Sequence, residues 1–270
     1  MKIAKIAKID DPSGLDRTWS RTPSAGVARE LLLCGVFDSI ILTYSRHEVV
    51  GLEHLVPLEA PVIFVANHSS HVDTPALLIS LPARWRRRTA VAAAADYFYA
   101  KRLLADAVSL AFGTVPLERR GRGLDTDPVA HIGQLLHTRW SLVVFAEGTR
   151  SRDGRVGRLR PGAAMLAAHH GVPIVPVHIS GTRAAMPPGR RWMVRPEGRG
   201  RLARHTIRVS FGAPIRVAPS DDPLQAMERV RLFMAACGAD TTPDPKFGTQ
   251  LPAASERAGK TASASGGGEV

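Results

Sequence analysis

Apolar residues along this chain fall into two rhythms: short solid runs, and longer stretches in which they recur every three or four positions. The run 61–66, Pro-Val-Ile-Phe-Val-Ala, is nearly uniform, as expected of a strand buried on both faces of a parallel sheet. The run 141–145 has the same character, and 89–95, 114–117, 172–179 and 206–211 read as further strands. Pro173 and Pro176 place the strand 172–179 near an edge or make it carry an irregularity, since proline cannot donate to a ladder. Between these runs, 75–81, 100–112, 128–139, 163–170 and 223–236 read as helices, with Gly113 and Gly171 closing two of them. Thr74 is the natural cap of the helix beginning at Pro75, which leaves Asp73 free for another job.

Strands alternating with helices predict an α/β fold, a mainly parallel central sheet flanked by helices. A broad apolar stripe over 27–44 predicts an N-terminal amphipathic helix, followed by a strand and turn over 48–53. Residues 1–24 lack steady periodicity and read as a loose leader, so the folded domain is expected over 25–239. From residue 240 to 270 the chain is rich in Thr, Pro, Ala, Ser and Gly and too poor in apolar residues to fold, which predicts a disordered tail.

Charge changes this picture. The 270 residues carry a formal net charge of +12, which calls for an anionic partner: nucleic acid, an anionic membrane surface or a phosphorylated substrate. No recognised nucleic-acid motif is present, so nucleic acid is not an expected partner. Arg84-Trp85-Arg86-Arg87-Arg88 and Arg190-Arg191-Trp192 pair guanidinium groups with an indole, a chemistry suited either to solvated loops or to a membrane interface. The apolar stretch 31–44 is interrupted by Asp38 and falls short of the ~20 residues of a spanning helix. Only Cys34 and Cys237 are present, without metal-type spacing, which points away from a disulfide scaffold and toward a reducing compartment. The basic start lacks an apolar core and cleavage site, so export is not expected.

Chemistry concentrates where the solid runs end. After 61–66 comes Asn67-His68-Ser69-Ser70-His71-Val72-Asp73. On a regular helix five residues turn through about 500°, so His68 and Asp73 meet only if the histidine lies in the loop and the aspartate at the helix entrance. There the carboxylate would fix one imidazole nitrogen and leave the other as a base. No Gly-x-Ser-x-Gly elbow supplies a nucleophile, so a substrate hydroxyl is the simplest one. His68, His71 and Asp73 could also be read as metal ligands, but a further ligand is wanting, and His71 reads as structural. After 141–145 comes Glu147-Gly148-Thr149-Arg150-Ser151, in which glycine permits close approach and arginine offers a planar fork for phosphate. Glu118-Arg119-Arg120 follows a third run, and ligands of parallel α/β sheets collect at such strand ends.

These segments, with Val172-Pro173-Ile174-Val175-Pro176-Val177, resemble in order the four motifs of the glycerolphosphate acyltransferases, most like the bacterial 1-acyl-glycerol-3-phosphate acyltransferases. The resemblance covers about residues 45–217. It departs at Ala146, where the family usually has proline, and at Glu118, where aspartate is more common. It implies His68 as general base and Asp73 as its orienting partner, with Arg119, Glu147, Gly148 and Arg150 shaping a phosphate pocket to which Thr149 adds a hydroxyl. It implies no bound cofactor and no metal. The acyl donor would be acyl-CoA or acyl-acyl carrier protein, and the acceptor a lysophospholipid such as 1-acyl-sn-glycerol-3-phosphate, giving phosphatidic acid. The expected place is cytoplasmic, peripheral on the inner face of the cell membrane. Another polar lipid acceptor, a catalytically silent lipid-binding module and a metal-dependent hydrolase are the rival readings.

Overall fold

The computed structural model describes residues 16–94, 102–117, 127–198, 200 and 202–247. A 3-10 turn, Thr18–Arg21, leads into helix α1, Pro23–Leu31, where Thr22 accepts the Ala25 N–H and proline takes the first position. The helical path continues through a π segment, Leu32–Phe37, into α2, Asp38–Tyr44. The N-terminal helix is therefore longer than its apolar stripe and is divided by the π segment. Strand β1, Ser45–Val50, and strand β2, Ile63–Ala66, follow. Then come α3, Asp73–Ser80, the short α4, Ala83–Arg86, and β3, Thr89–Ala94. Helix α5, Arg102–Phe112, leads to β4, Thr114–Leu117, and α6, Asp127–His137, leads to β5, Ser141–Phe145. Helix α7, Gly162–His170, precedes β6, Ile174–Ser180, and a single turn, α8, Thr182–Ala185. Strand β7, His205–Phe211, and helix α9, Pro223–Ala236, complete the described elements.

The seven strands form one sheet in the order β1-β7-β6-β2-β5-β3-β4. All neighbouring pairs are parallel except β6 with β7, so β1 and β7 run against the other five. Strand alternation sends Ile63 and Val65 to one face, where they meet Leu135 of α6, Leu166 of α7 and Val230 of α9. Phe64 and Ala66 face the other side, against Leu33, Ile41, Leu77 and Leu78. Both faces are thus covered, which is why β2 reads as a solid apolar run. Each fully buried side chain of this size stabilises the fold by about 1.5–3 kcal/mol relative to exposure.

Four expectations need correction. Helix α3 starts at Asp73 and not at a Thr74 cap; Val72 stands at the N-cap and supplies no side-chain bond. Strand β6 lies between β7 and β2, so of the two readings of its prolines the edge fails and the irregularity holds. Its Pro176 is tolerated because Gly212 donates to the Pro176 carbonyl just past the last β6–β7 pair, Val177 with Phe211, so the missing donor falls where that ladder ends. Trp85 does not face outward: it is 3% exposed and packs edge-on against Phe64 with ring centroids 5.9 Å apart. Its neighbours are committed as well, Arg86 to a bidentate pair with Glu30 at 2.8 and 3.0 Å, and Arg84 to the Leu55 carbonyl at 2.7 Å.

The start of the expected tail is ordered. Residues 240–247 turn back onto the segment after β5: the Val156 N–H donates to the Asp240 carbonyl and the Thr242 N–H to the Val156 carbonyl, both at 2.8 Å. Asp240 pairs with Arg155 and Asp244 with Arg158, so charge replaces the apolar content the segment lacks. The remainder of the expected tail, 248–270, and residues 1–15 of the expected leader lie outside the described residues.

Candidate active site

Strands β2 and β6 keep parallel register as far as Ala66 beside Val177 and then part. The Asn67 side chain spans the gap, accepting from the Ile179 N–H at 2.8 Å and donating to the Ile179 carbonyl at 2.9 Å. The chain can then leave the sheet without orphaning the backbone groups of Ile179. His68 follows at once, its ring stacked on Phe145 of β5 at 4.2 Å between centroids and 23° between planes.

The His68 Nδ1 lies 2.9 Å from Oδ2 of Asp73. Asp73 is fully buried, and the same oxygen accepts the backbone N–H groups of Ser69 at 2.6 Å and Ser70 at 2.8 Å. Its other oxygen, Oδ1, accepts the Thr182 hydroxyl from the first turn of α8. Every group around this carboxylate is placed to donate a hydrogen bond to it. A carboxylate accepts, so Nδ1 carries a proton, and in the neutral ring Nε2 is the nitrogen with the free lone pair. The His68 side chain is 18% exposed, enough to present that nitrogen to a ligand.

Glu147 is turned inward. One oxygen accepts the His68 N–H at 2.8 Å and the other the Gly157 N–H at 2.9 Å. Burial pushes its carboxyl above the usual range, and the two backbone donors oppose that shift. Glu147 therefore shapes the site by joining the loop after β2 to the loop after β5, a joint reinforced by the Ser151 N–H on the His68 carbonyl at 2.8 Å. Gly148 makes the bend with φ of +74°, and a Cβ there would lie 2.9 Å from the Arg160 guanidinium.

Arg150 Nη1 lies 2.6 Å from His71 Nε2. Arginine only donates, so that nitrogen accepts and His71 is neutral. Burial first, then Arg150, hold His71 below its ordinary range.

A cavity of about 1100 Å³ opens in front of these groups, and His68, Gly148, Thr149 and Arg150 all line it. Asp73 sits behind His68, and Glu147 behind the bend. The far wall is apolar, built from Phe37 and Ile40 on the N-terminal helices, Leu104, Val108 and Phe112 on α5, and Leu117 at the end of β4. Arg119, with its neighbours Glu118 and Arg120, lies outside the described residues. No group of three or more metal-ligating side chains suited to an ion occurs among the described residues.

Asn67, Phe145 and Thr182 were missed in the sequence. Asn67 adjoins a quoted motif and its polar side chain at a strand end was a usable signal. Thr182 lies 109 residues from Asp73, and nothing local marks it.

Residues 46–180 match the family model described as Acyltransferase. The chain is 30% identical over 182 residues to the chloroplastic 1-acyl-sn-glycerol-3-phosphate acyltransferase BAT2 of Brassica napus, a match covering 67% of this chain and 48% of that protein. It is 29% identical over 174 residues to a probable 1-acyl-sn-glycerol-3-phosphate acyltransferase of Mycoplasma genitalium, covering 63% of this chain and 59% of the relative. The chain thus spans about half the length of the plant relatives it matches. Among solved structures, the 1-acyl-sn-glycerophosphate (LPA) acyltransferase PlsC of Thermotoga maritima superposes with a TM-score of 0.57 at 25% identity, covering 83% of each chain.

Proposed function

The chain belongs to the acyltransferase family, and on that footing we propose that it transfers a fatty acyl group from a thioester to the hydroxyl of a lysophospholipid, 1-acyl-sn-glycerol-3-phosphate, giving phosphatidic acid. The observation that carries this reading is the His68–Asp73 pair at 2.9 Å, opening on a cavity with a cationic rim and an apolar wall. A phosphorylated lipid has those two ends.

In the proposed reaction, His68 Nε2 removes the proton from the acceptor hydroxyl, and Asp73 steadies the imidazolium that forms. The oxygen attacks the thioester carbonyl, forming the new C–O bond and a tetrahedral intermediate. Collapse breaks the C–S bond, and the thiolate takes the proton from His68. Each proton and electron pair is accounted for without a metal or cofactor. Arg150 holds the acceptor's phosphate and thereby places the hydroxyl at Nε2, which lowers the entropic part of the barrier. Arg119 is proposed to assist it. Gly148 and Thr149 shape the same anion subsite, and Glu147 keeps the two loops in register.

Attachment to the inner face of an anionic membrane is part of the same reading. No helix among the described residues is long and apolar enough to cross a membrane. Val27, Leu31, Val36 and Leu42 on the N-terminal helices, with Leu103 and Leu104 on α5, are exposed, and Leu104 also lines the cavity, a composition suited to an interface. The net charge of +12 favours anionic lipid.

The test is purified protein with a panel of lysolipids and both donor types, products resolved by mass. Phosphatidic acid from lysophosphatidic acid, with one thiol released per ester formed, is the expected outcome. Free fatty acid without ester would replace this reading with hydrolysis, and no thiol release with either donor would replace it with lipid binding alone.

A further inference from the structure

Four arginines, Arg150, Arg152, Arg190 and Arg191, line the cavity, and among the described residues no aspartate or glutamate does. They come from two sources. Arg150 and Arg152 follow β5, whereas Arg190 and Arg191 follow β6 and the single turn α8. In the sheet, β2 lies between β6 and β5, so His68 at the end of β2 stands between the two cationic loops. Neighbouring strands are about 4.8 Å apart, which separates the ends of β5 and β6 by roughly 10 Å.

The loop 186–193 is a built feature. Its neck is closed by the Val194 N–H on the Ala185 carbonyl at 2.7 Å, and its base is tied beside the dyad by the Ser70 hydroxyl on the Met186 carbonyl at 3.2 Å. Pro187 and Pro188 stiffen it, and a turn closes with the Arg190 N–H on the Pro187 carbonyl. On its far side the Trp192 indole N–H donates to the Tyr44 hydroxyl at 3.1 Å. Neither Arg190 nor Arg191 has an ion pair or side-chain hydrogen bond among the described residues, and both are exposed at the cavity.

We propose that Arg190 and Arg191 form a second phosphate-binding subsite, which takes the phosphate ester of the donor's pantetheine arm while Arg150 takes the phosphate of the acceptor. This rests on the acyl-transfer reading above. Both substrates of that reaction bring a phosphate, and their reacting carbons and oxygens must meet at His68. Two phosphates gathered on one guanidinium would repel, so cationic loops on opposite sides of the base fit two anionic substrates better than one. The arm is common to coenzyme A and acyl carrier protein, and the same subsite serves either.

The test uses the full chain carrying Arg190→Gln with Arg191→Gln, beside Arg150→Gln, with thermal unfolding to show that all three proteins fold alike. With the loop variant, the KM for acyl-CoA should rise about tenfold while that for lysophosphatidic acid stays within about twofold, the worth of one or two exposed guanidinium–phosphate contacts. Arg150→Gln should show the reverse. A matching rise in the KM for acyl-acyl carrier protein supports the shared arm as the ligand, and a rise with acyl-CoA alone overturns the proposal by assigning the contact to the nucleotide phosphates. Calorimetric binding of coenzyme A is read independently of turnover, and the loop variant should weaken it at least about fivefold. The proposal is overturned if the acceptor's KM moves instead, if neither moves, if coenzyme A binds the variant as it binds the parent, or if the variant only loses affinity for anionic vesicles. Absence of turnover by the parent would remove the acyl-transfer reading and leave the coenzyme A measurement to decide the subsite.

Discussion

The Thr182 hydroxyl, 109 residues away in the chain, donates to the Asp73 oxygen nearer to it, while the opposite oxygen of the same carboxylate holds His68. Thr182 is fully buried, so the bond is shielded from water. It fixes the rotation of the carboxylate and hence the direction of the imidazole. A positioning residue of this kind acts on turnover more than on binding. Thr182→Val should lower kcat about ten- to a hundredfold, the worth of a buried bond to a charged group, with both KM values little changed. Thr182→Ser should restore most of the loss. Equal damage from valine and serine, or a loss in KM alone, would remove Thr182 from this role.

Removal of the proposed base is the sharper perturbation. His68→Ala should lower kcat by a factor of about 10² to 10⁴ and leave the melting temperature close to the parent's, because the side chain is partly exposed. Asp73→Asn should also lower kcat and should in addition cost stability, since a buried carboxylate accepting two backbone N–H groups and a hydroxyl becomes a neutral amide. Steady-state kinetics beside thermal unfolding separates the two. Near-normal turnover in His68→Ala would exclude it as base.

The turn that delivers Thr182 depends on glycine. Gly181 has φ of +81°, and a Cβ on it would lie 1.8 Å from the Thr206 carbonyl oxygen of β7. Backbone must move to admit one. Gly181→Ala should therefore destabilise the fold by about 1–3 kcal/mol or more and depress kcat through the displaced threonine. Chemical denaturation and a rate assay on the folded fraction measure both effects.

Acidification should weaken the fold from near neutrality. His47, His71, His170, His178 and His205 are all held below the ordinary histidine range, with burial the leading cause in each. Below about pH 6.5 the unfolded chain takes up protons that the folded protein still refuses, so stability is complete above that pH and is lost as pH falls toward the depressed folded values. Glu147, raised by burial, works in the opposite sense nearer the carboxylate range. Melting temperatures taken from about pH 8 to pH 5 should fall, and His178→Gln should flatten the slope. A level profile would contradict the assignment of these histidines as neutral in the fold.

The residues legible in the sequence were those whose partners are local. His68 and Asp73 are five apart, and the need to bring them together placed one in a loop and the other at a helix start. That conclusion survives although the Thr74 cap behind it does not, because the Asp73 side chain turns back over Ser69 and Ser70 from inside the first turn. The alternation of strands and helices disclosed the sheet, yet not the place of β6 within it, since strand order is set by pairings between residues far apart. Trp85 shows the same boundary: four flanking arginines suggested an outer surface, and only the packed Phe64 reveals that the indole points inward.

The amide of Asn67 uses its one acceptor and one of its donors on a single residue of the neighbouring strand, standing in for the next backbone rung. The place where β2 and β6 part is therefore held by the protein's own side chain. A ligand in the adjoining cavity meets an imidazole already mounted at working height, and none of the energy of its binding is diverted to fixing the loop that carries it.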